Sequence, residues 1–139
     1  MDTKFNLERF VEAQASVYKE VLAELKAGRK TGHWMWFIFP QIAGLGTSAK
    51  ARKFAIASAD EAAAYLAHPV LGARLRECSA LVAAIDDKEI GDIFGGPDDM
   101  KFHSSMTLFA EIAPDEALFQ DCINKFFDGV PDEATLDRL

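Results

Sequence analysis

Three stretches of this 139-residue chain hold residue types at spacings that chemistry uses. In GHWMWFIFPQIAGLG, residues 32–46, His33 and Gln41 bracket an apolar block that contains both tryptophans, Trp34 and Trp36. Polar groups at the rim of an aromatic wall are how a pocket fixes the orientation of a ligand. The same rings serve equally well as core, with His33 bonded to a backbone carbonyl and Gln41 satisfying the backbone around Pro40. In GLGTSAKARKF, residues 44–54, Gly44 and Gly46 permit positive φ and Ser48 can cap a following helix. Backbone N–H groups at such a start can receive phosphate or carboxylate. The spacing matches neither a Walker loop nor a dinucleotide fingerprint, and an ordinary capped turn explains the same residues. In FGGPDDMKFHSSMTLF, residues 94–109, Lys101 shares a helix face with Ser104 and Ser105, while Phe102, Met106 and Phe109 line a neighbouring face. Lysine beside serine suits an oxyanion or, at its strongest, an activated Ser-Lys pair; solvated polar residues produce the same pattern.

Charge distinguishes the first two stretches from the rest. The chain carries a net charge of −7, which argues against non-specific nucleic-acid binding, since counterion release requires a cationic surface. Yet Lys26, Arg29, Lys30, Lys50, Arg52 and Lys53 fall in a window without an Asp or Glu, whereas nine basic residues face 22 acids elsewhere. The aromatic block lies inside this basic island, which reads either as a solvated surface or as a mouth that attracts anions.

The elements that must position these residues are helical. PDDMKF, PDEALF and PDEATL begin at Pro97, Pro114 and Pro131, at intervals of 17. A proline at the first helical position loses no hydrogen bond, and acids in the first turn meet the positive end of the macrodipole, so each reads as a helix start. Pro69 marks a fourth, with Leu71, Leu75, Cys78, Val82 and Ile85 on one face. Leu7, Phe10, Val11, Val17, Tyr18, Val21, Leu22 and Leu25 give a long amphipathic helix stopped by Gly28. Ser58 and Glu61 form a capping box for ADEAAAYLA. Pro40 has no helix-start context and biases Phe39 away from the α region, so WMWFIF is expected to be irregular or extended, or a short helix ending at Phe39. The expectation is an all-α protein, one domain over residues 1–139 of about six helices with an irregular aromatic-rich segment. If WMWFIF and SSMTLF are both strands, the fold becomes α+β with a small strand pair.

Other chemistries find little support. His33, His68 and His103 lack a second ligand at HxxxH-like spacing, so neither a metal nor another cofactor is implied. There is no nucleophile elbow, and nothing names a reaction. Cys78 and Cys122 stand without a CxxC partner and read as buried free thiols in a reducing cytosol. The longest strongly apolar run, Trp34 to Phe39, is far short of the ~20 residues of a membrane span, and the N-terminus has no signal-like run, which gives a cytoplasmic, monomeric expectation.

Taken together, GRKTGHWMWFIFPQIAGLGTS, AIAS, EAAAYLAHPVLGARLREC, IFGGPDDMKFHSSMTLFA and FFDGVPDEATL resemble the bacterial domain-of-unknown-function 1810 family, sometimes labelled calpastatin-like, from about Leu7 onward. The resemblance implies a small, largely helical cytosolic protein with no established activity, and it matches Asp98, Lys101, Ser104, Ser105, Met106, Thr107, Leu108 and Phe109, with His103 at a looser position. A disordered calpastatin-type inhibitor does not fit 15 aromatic residues on periodic apolar faces. Two functions stay open: binding of a small, phosphate-bearing anion by His33, Trp34, Trp36, Gln41, Gly44, Gly46, Ser48, Lys101, Ser104 and Ser105, or a protein–protein interaction module. Clustering of His33, Gln41, Ser48 and Lys101 around one concavity favours the first, and dispersal favours the second.

Overall fold

The computed structural model describes residues 5–139. Ten α-helices follow one another: α1 Glu8–Ala15, α2 Tyr18–Ala27, α3 Met35–Ile38, α4 Ala49–Lys53, α5 Ala59–Ala67, α6 Leu71–Ala83, α7 Ile90–Phe94, α8 Asp98–Ile112, α9 Ala117–Phe126 and α10 Glu133–Leu136. The all-α expectation holds. The number exceeds six because α3, α4, α7 and α10 are single turns of four or five residues and because the long N-terminal helix is divided. Neither WMWFIF nor SSMTLF is a strand, and the extended pairing among the described residues is one isolated parallel bridge between Ile42 and Ile56.

Local signals act largely where the sequence places them. Gly28 ends α2 at φ 76°, its N–H donating to the Glu24 and Leu25 carbonyls. Ser58 caps α5 by accepting from Glu61 N–H, but Glu61 does not close the reciprocal half of a capping box. Its buried carboxylate instead accepts from Ala57 N–H at 2.7 Å and pairs with Arg9 at 2.9 Å. The prolines precede helices by one to three residues rather than occupying the first turn: α9 begins at Ala117, so Glu116 is free to pair with Arg76 at 2.6 Å.

Two expectations change through packing. Val17, at φ −123°, separates α1 from α2 because the two halves face different partners, α1 packing on α3 and α2 on α6. The break turns Gln14 inward, where its amide donates to the Phe37 carbonyl at 2.7 Å and the Tyr65 hydroxyl at 3.1 Å. The aromatic block is helical over Met35–Ile38 and stops at Phe39, whose φ −124° and ψ 74° lie outside the α region that a following proline disfavours. That turn drives its rings into the core. Phe39 meets Phe94 and Phe102 edge-on at 5.8 and 5.0 Å, and Phe37 packs on Phe54 at 5.2 Å.

Glu24 holds the loop that delivers this block. One carboxylate oxygen accepts from Thr31 N–H at 2.6 Å, Gly32 N–H at 2.8 Å and the Trp34 indole at 3.0 Å. Burial opposes ionisation of Glu24, but the donors from Gly32, Thr31 and Trp34 outweigh it and hold the carboxyl below its ordinary range. A carboxyl lowered by folding contributes stability that is complete above its unfolded-state pKa and is lost as pH falls through the folded-state value. Glu24→Gln is therefore expected to reduce stability by about 1–2 kcal/mol at neutral pH. In urea titrations the gap from the wild type should narrow as pH falls below about 4, and a gap unchanged there would assign the loss to shape rather than charge.

Candidate functional site

Of the four rings in the HWMWFIFPQ block, Trp34, Phe37 and Phe39 are buried and Trp36 alone remains partly open. A single helical turn must point one side away from the core, and in α3 that side carries Trp36. Lys50 of α4 and Lys101 of α8 each place an ammonium 5.0 Å from the Trp36 ring. Three segments far apart in sequence therefore converge on one indole. Such contacts contribute only about 0.5–1 kcal/mol at exposed sites, so they orient the ammonium groups without neutralising them.

The charges behind this pair are ordered. Asp98 receives Lys30 on one oxygen at 2.8 Å and Lys101 on the other at 3.5 Å. The Lys30 side chain is only 7% exposed, so its charge is consumed in joining the loop after α2 to the start of α8. Lys50 has no carboxylate partner among the described residues. Beside Trp36 lies a cleft lined also by Gln41, Ile42, Gly44, Gly46 and Phe54. The space it encloses is about 10 Å³. That is far below the ~300–1,000 Å³ of pockets that enclose a metabolite and is about room for one water molecule, so the cleft is a surface depression rather than an enclosing pocket. The loop closes this tightly because a Cβ at Gly46 would stand 2.6 Å from that of Ala51.

The ten residues singled out from sequence separate into two groups. Trp36, Gln41, Gly44 and Gly46 line the cleft and Lys101 stands at the Trp36 ring, whereas His33 and Ser48 lie elsewhere, so the four polar residues whose clustering favours ligand binding gather only in part. The Gln41 carbonyl accepts from Ile56 N–H at 2.9 Å, while its side-chain amide makes no hydrogen bond among the described residues. Trp34 is 2% exposed and bonded to Glu24, which leaves no face for a ligand. His33 is exposed and outside the cleft. Ser48 caps α4 by accepting from Ala51 N–H at 3.1 Å. Ser105 is fully buried, and its hydroxyl has no hydrogen-bond partner among the described residues. Ser104 bonds the Met100 carbonyl at 3.1 Å and Asp132 at 2.9 Å, so Lys101 and these serines form no Ser-Lys pair.

Sequence reasoning missed Asp132 and Arg138. Asp132 reads as helix-start charge, but it is the N-cap of α10, accepting from Thr135 N–H at 3.3 Å and its hydroxyl at 2.6 Å. An aspartate three residues before a threonine was the available signal. Arg138, in the following turn, lies against Gly44. Both cysteines are free and buried, and burial pushes each thiol up to about 12, well away from nucleophilic chemistry. Among the described residues no three His, Cys, Asp or Glu side chains are grouped to hold a metal ion, and no helix is long and apolar enough to cross a membrane.

Fold and site define a small helical protein with a tryptophan-lined surface cleft and two lysines gathered on that tryptophan. The chain belongs to the protein family of unknown function DUF1810, whose profile matches residues 4–139. It is similar to a conserved hypothetical protein, Rv1873, of Mycobacterium tuberculosis, known from a crystal structure at 1.38 Å. The two share 50% identity over 97% of this chain and 96% of the other, with a TM-score of 0.96. No curated protein matches the chain.

The unequal burial of the two tryptophans is directly measurable. Iodide should quench the fluorescence of a Trp34→Phe variant strongly, since Trp36 is open and flanked by lysines, and should barely quench a Trp36→Phe variant. Equal quenching of the two would contradict the orientation of α3.

Proposed function

We propose that this protein binds a small anionic ligand, phosphate-bearing and nucleotide-like, over the partly open ring of Trp36 at the mouth of the cleft, where Lys101 of the KFHSS segment meets the HWMWFIFPQ segment. The observation that carries the reading is the convergence of Lys50 and Lys101 on the partly open ring of Trp36. Core packing alone does not require two ammonium groups from distant segments to meet on one exposed indole. The volume sets how the ligand sits: with about 10 Å³ enclosed, the cleft takes about one water, so the phosphate and any attached ring lie across its mouth, against the solvent-facing part of Trp36. The acidic remainder of the surface favours anion approach at this one place, because like charge repels the ligand elsewhere.

A thermal-shift titration with ADP tests the reading. At about 100 times its dissociation constant ADP should stabilise the protein by about 2.7 kcal/mol, with a smaller shift as salt rises. Lys50→Ala and Lys101→Ala should each weaken binding about tenfold, equivalent to ~1.4 kcal/mol, while His33→Ala should leave it unchanged. A shift indifferent to both lysine substitutions, or the absence of a shift with any phosphate-bearing anion, would discard the cleft and favour a protein-docking surface.

A further inference from the structure

The cleft has a third cation at its edge, contributed by the last turn of the described chain. A Cβ built on Gly44 would stand 2.5 Å from Nη1 and 2.9 Å from Cζ of Arg138, so the guanidinium occupies the space where any other residue at position 44 would project its side chain. Gly44 itself lines the cleft with Trp36 and Gln41. Arg138 forms no ion pair among the described residues, unlike Lys30 and Lys101, which share Asp98.

This placement is built rather than incidental. The helix α10 is one turn long and has no stability of its own. Asp132 secures it, accepting from Thr135 N–H, the Thr135 hydroxyl and the Ser104 hydroxyl on a single oxygen, while Asp132 N–H donates to the Thr107 hydroxyl at 2.9 Å. Thr135 is fully buried, and Arg138 N–H bonds its carbonyl at 3.1 Å. Thus two side chains of SSMTLF hold the turn from which Arg138 reaches Gly44.

Resting on the anion-binding reading above, we propose that Arg138 is a specificity-determining residue of this cleft, positioned by Ser104, and that it selects a diphosphate group over a single phosphate. Lys50 and Lys101 are point charges at the Trp36 ring, whereas the planar guanidinium at Gly44 offers paired N–H donors that match two oxygens of one phosphoryl group. One phosphoryl group held by the two lysines at the Trp36 ring, across the mouth of the cleft, leaves Arg138, against Gly44, to take the second.

Calorimetric titration with inorganic pyrophosphate and inorganic phosphate tests this. The wild type should bind pyrophosphate at least tenfold more tightly than phosphate. Arg138→Ala should lose at least tenfold in pyrophosphate affinity and keep its phosphate affinity, and Arg138→Lys should fall between. Gly44→Ala, which displaces the guanidinium, and Ser104→Ala, which loosens α10, should lower pyrophosphate affinity selectively; a merely structural role for Ser104 would lower both. If pyrophosphate binding depends on Lys101 but is unchanged in Arg138→Ala, the inference about Arg138 is overturned and the cleft stands. If the folded wild type binds neither anion, both are overturned.

Discussion

The edge-to-face contacts of Phe39 with Phe94 and Phe102 join the first third of the chain to α7 and α8, and the orientation of the site follows from them. Each such contact contributes about 0.5–1.5 kcal/mol beyond area burial, but their geometric effect is the larger one. With Phe39 seated between two rings and Pro40 closing the turn behind it, α3 cannot rotate about its axis without withdrawing Met35, Phe37 and Ile38 from the core. Trp36 is then the side chain that must face outward. Its exposure is a consequence of the burial of its neighbours, so the core and the cleft are two faces of the same helical turn.

Electrostatics complete the arrangement by consuming some charges and leaving others available. Lys30, although part of the basic island, is buried against Asp98 and serves as a tie between the loop after α2 and α8. Lys101 draws on the same carboxylate at the longer distance of 3.5 Å and retains more of its field. Lys50 and Arg138 have no acidic partner among the described residues. A chain with a net charge of −7 therefore presents positive charge beside Trp36, where a tight glycine loop brings backbone and guanidinium together.

The SSMTLF segment gives one sequence pattern three separate uses. Met106, Leu108 and Phe109 are core; Ser104 and Thr107 hold the N-terminus of α10; and the hydroxyl of Ser105 is buried without a hydrogen-bond partner among the described residues. The serines that resemble a nucleophile pair beside Lys101 are thus committed to structure. Ser104 holds α10, from which Arg138 reaches Gly44.

Sequence alone determined the helical class, the glycine stop at residue 28, the caps at Ser48 and Ser58 and the buried state of both thiols, because periodicity and capping are settled within a few residues. It also brought Trp36, Gln41, Gly44 and Gly46 into one candidate site, since they are near neighbours along the chain. It could not distinguish Trp34 from Trp36. Two apolar rings two positions apart, one capping a four-residue helix and the other inside it, have no periodicity to separate them, and only Phe39, Phe94 and Glu24 decide that Trp34 turns inward. The division of α1 from α2 at Val17, the cradle of donors around Glu24 and the meeting of Arg138 with Gly44 depend likewise on groups distant in sequence. Tertiary structure decided these because a side chain's partner across the fold leaves no local periodic or capping signal.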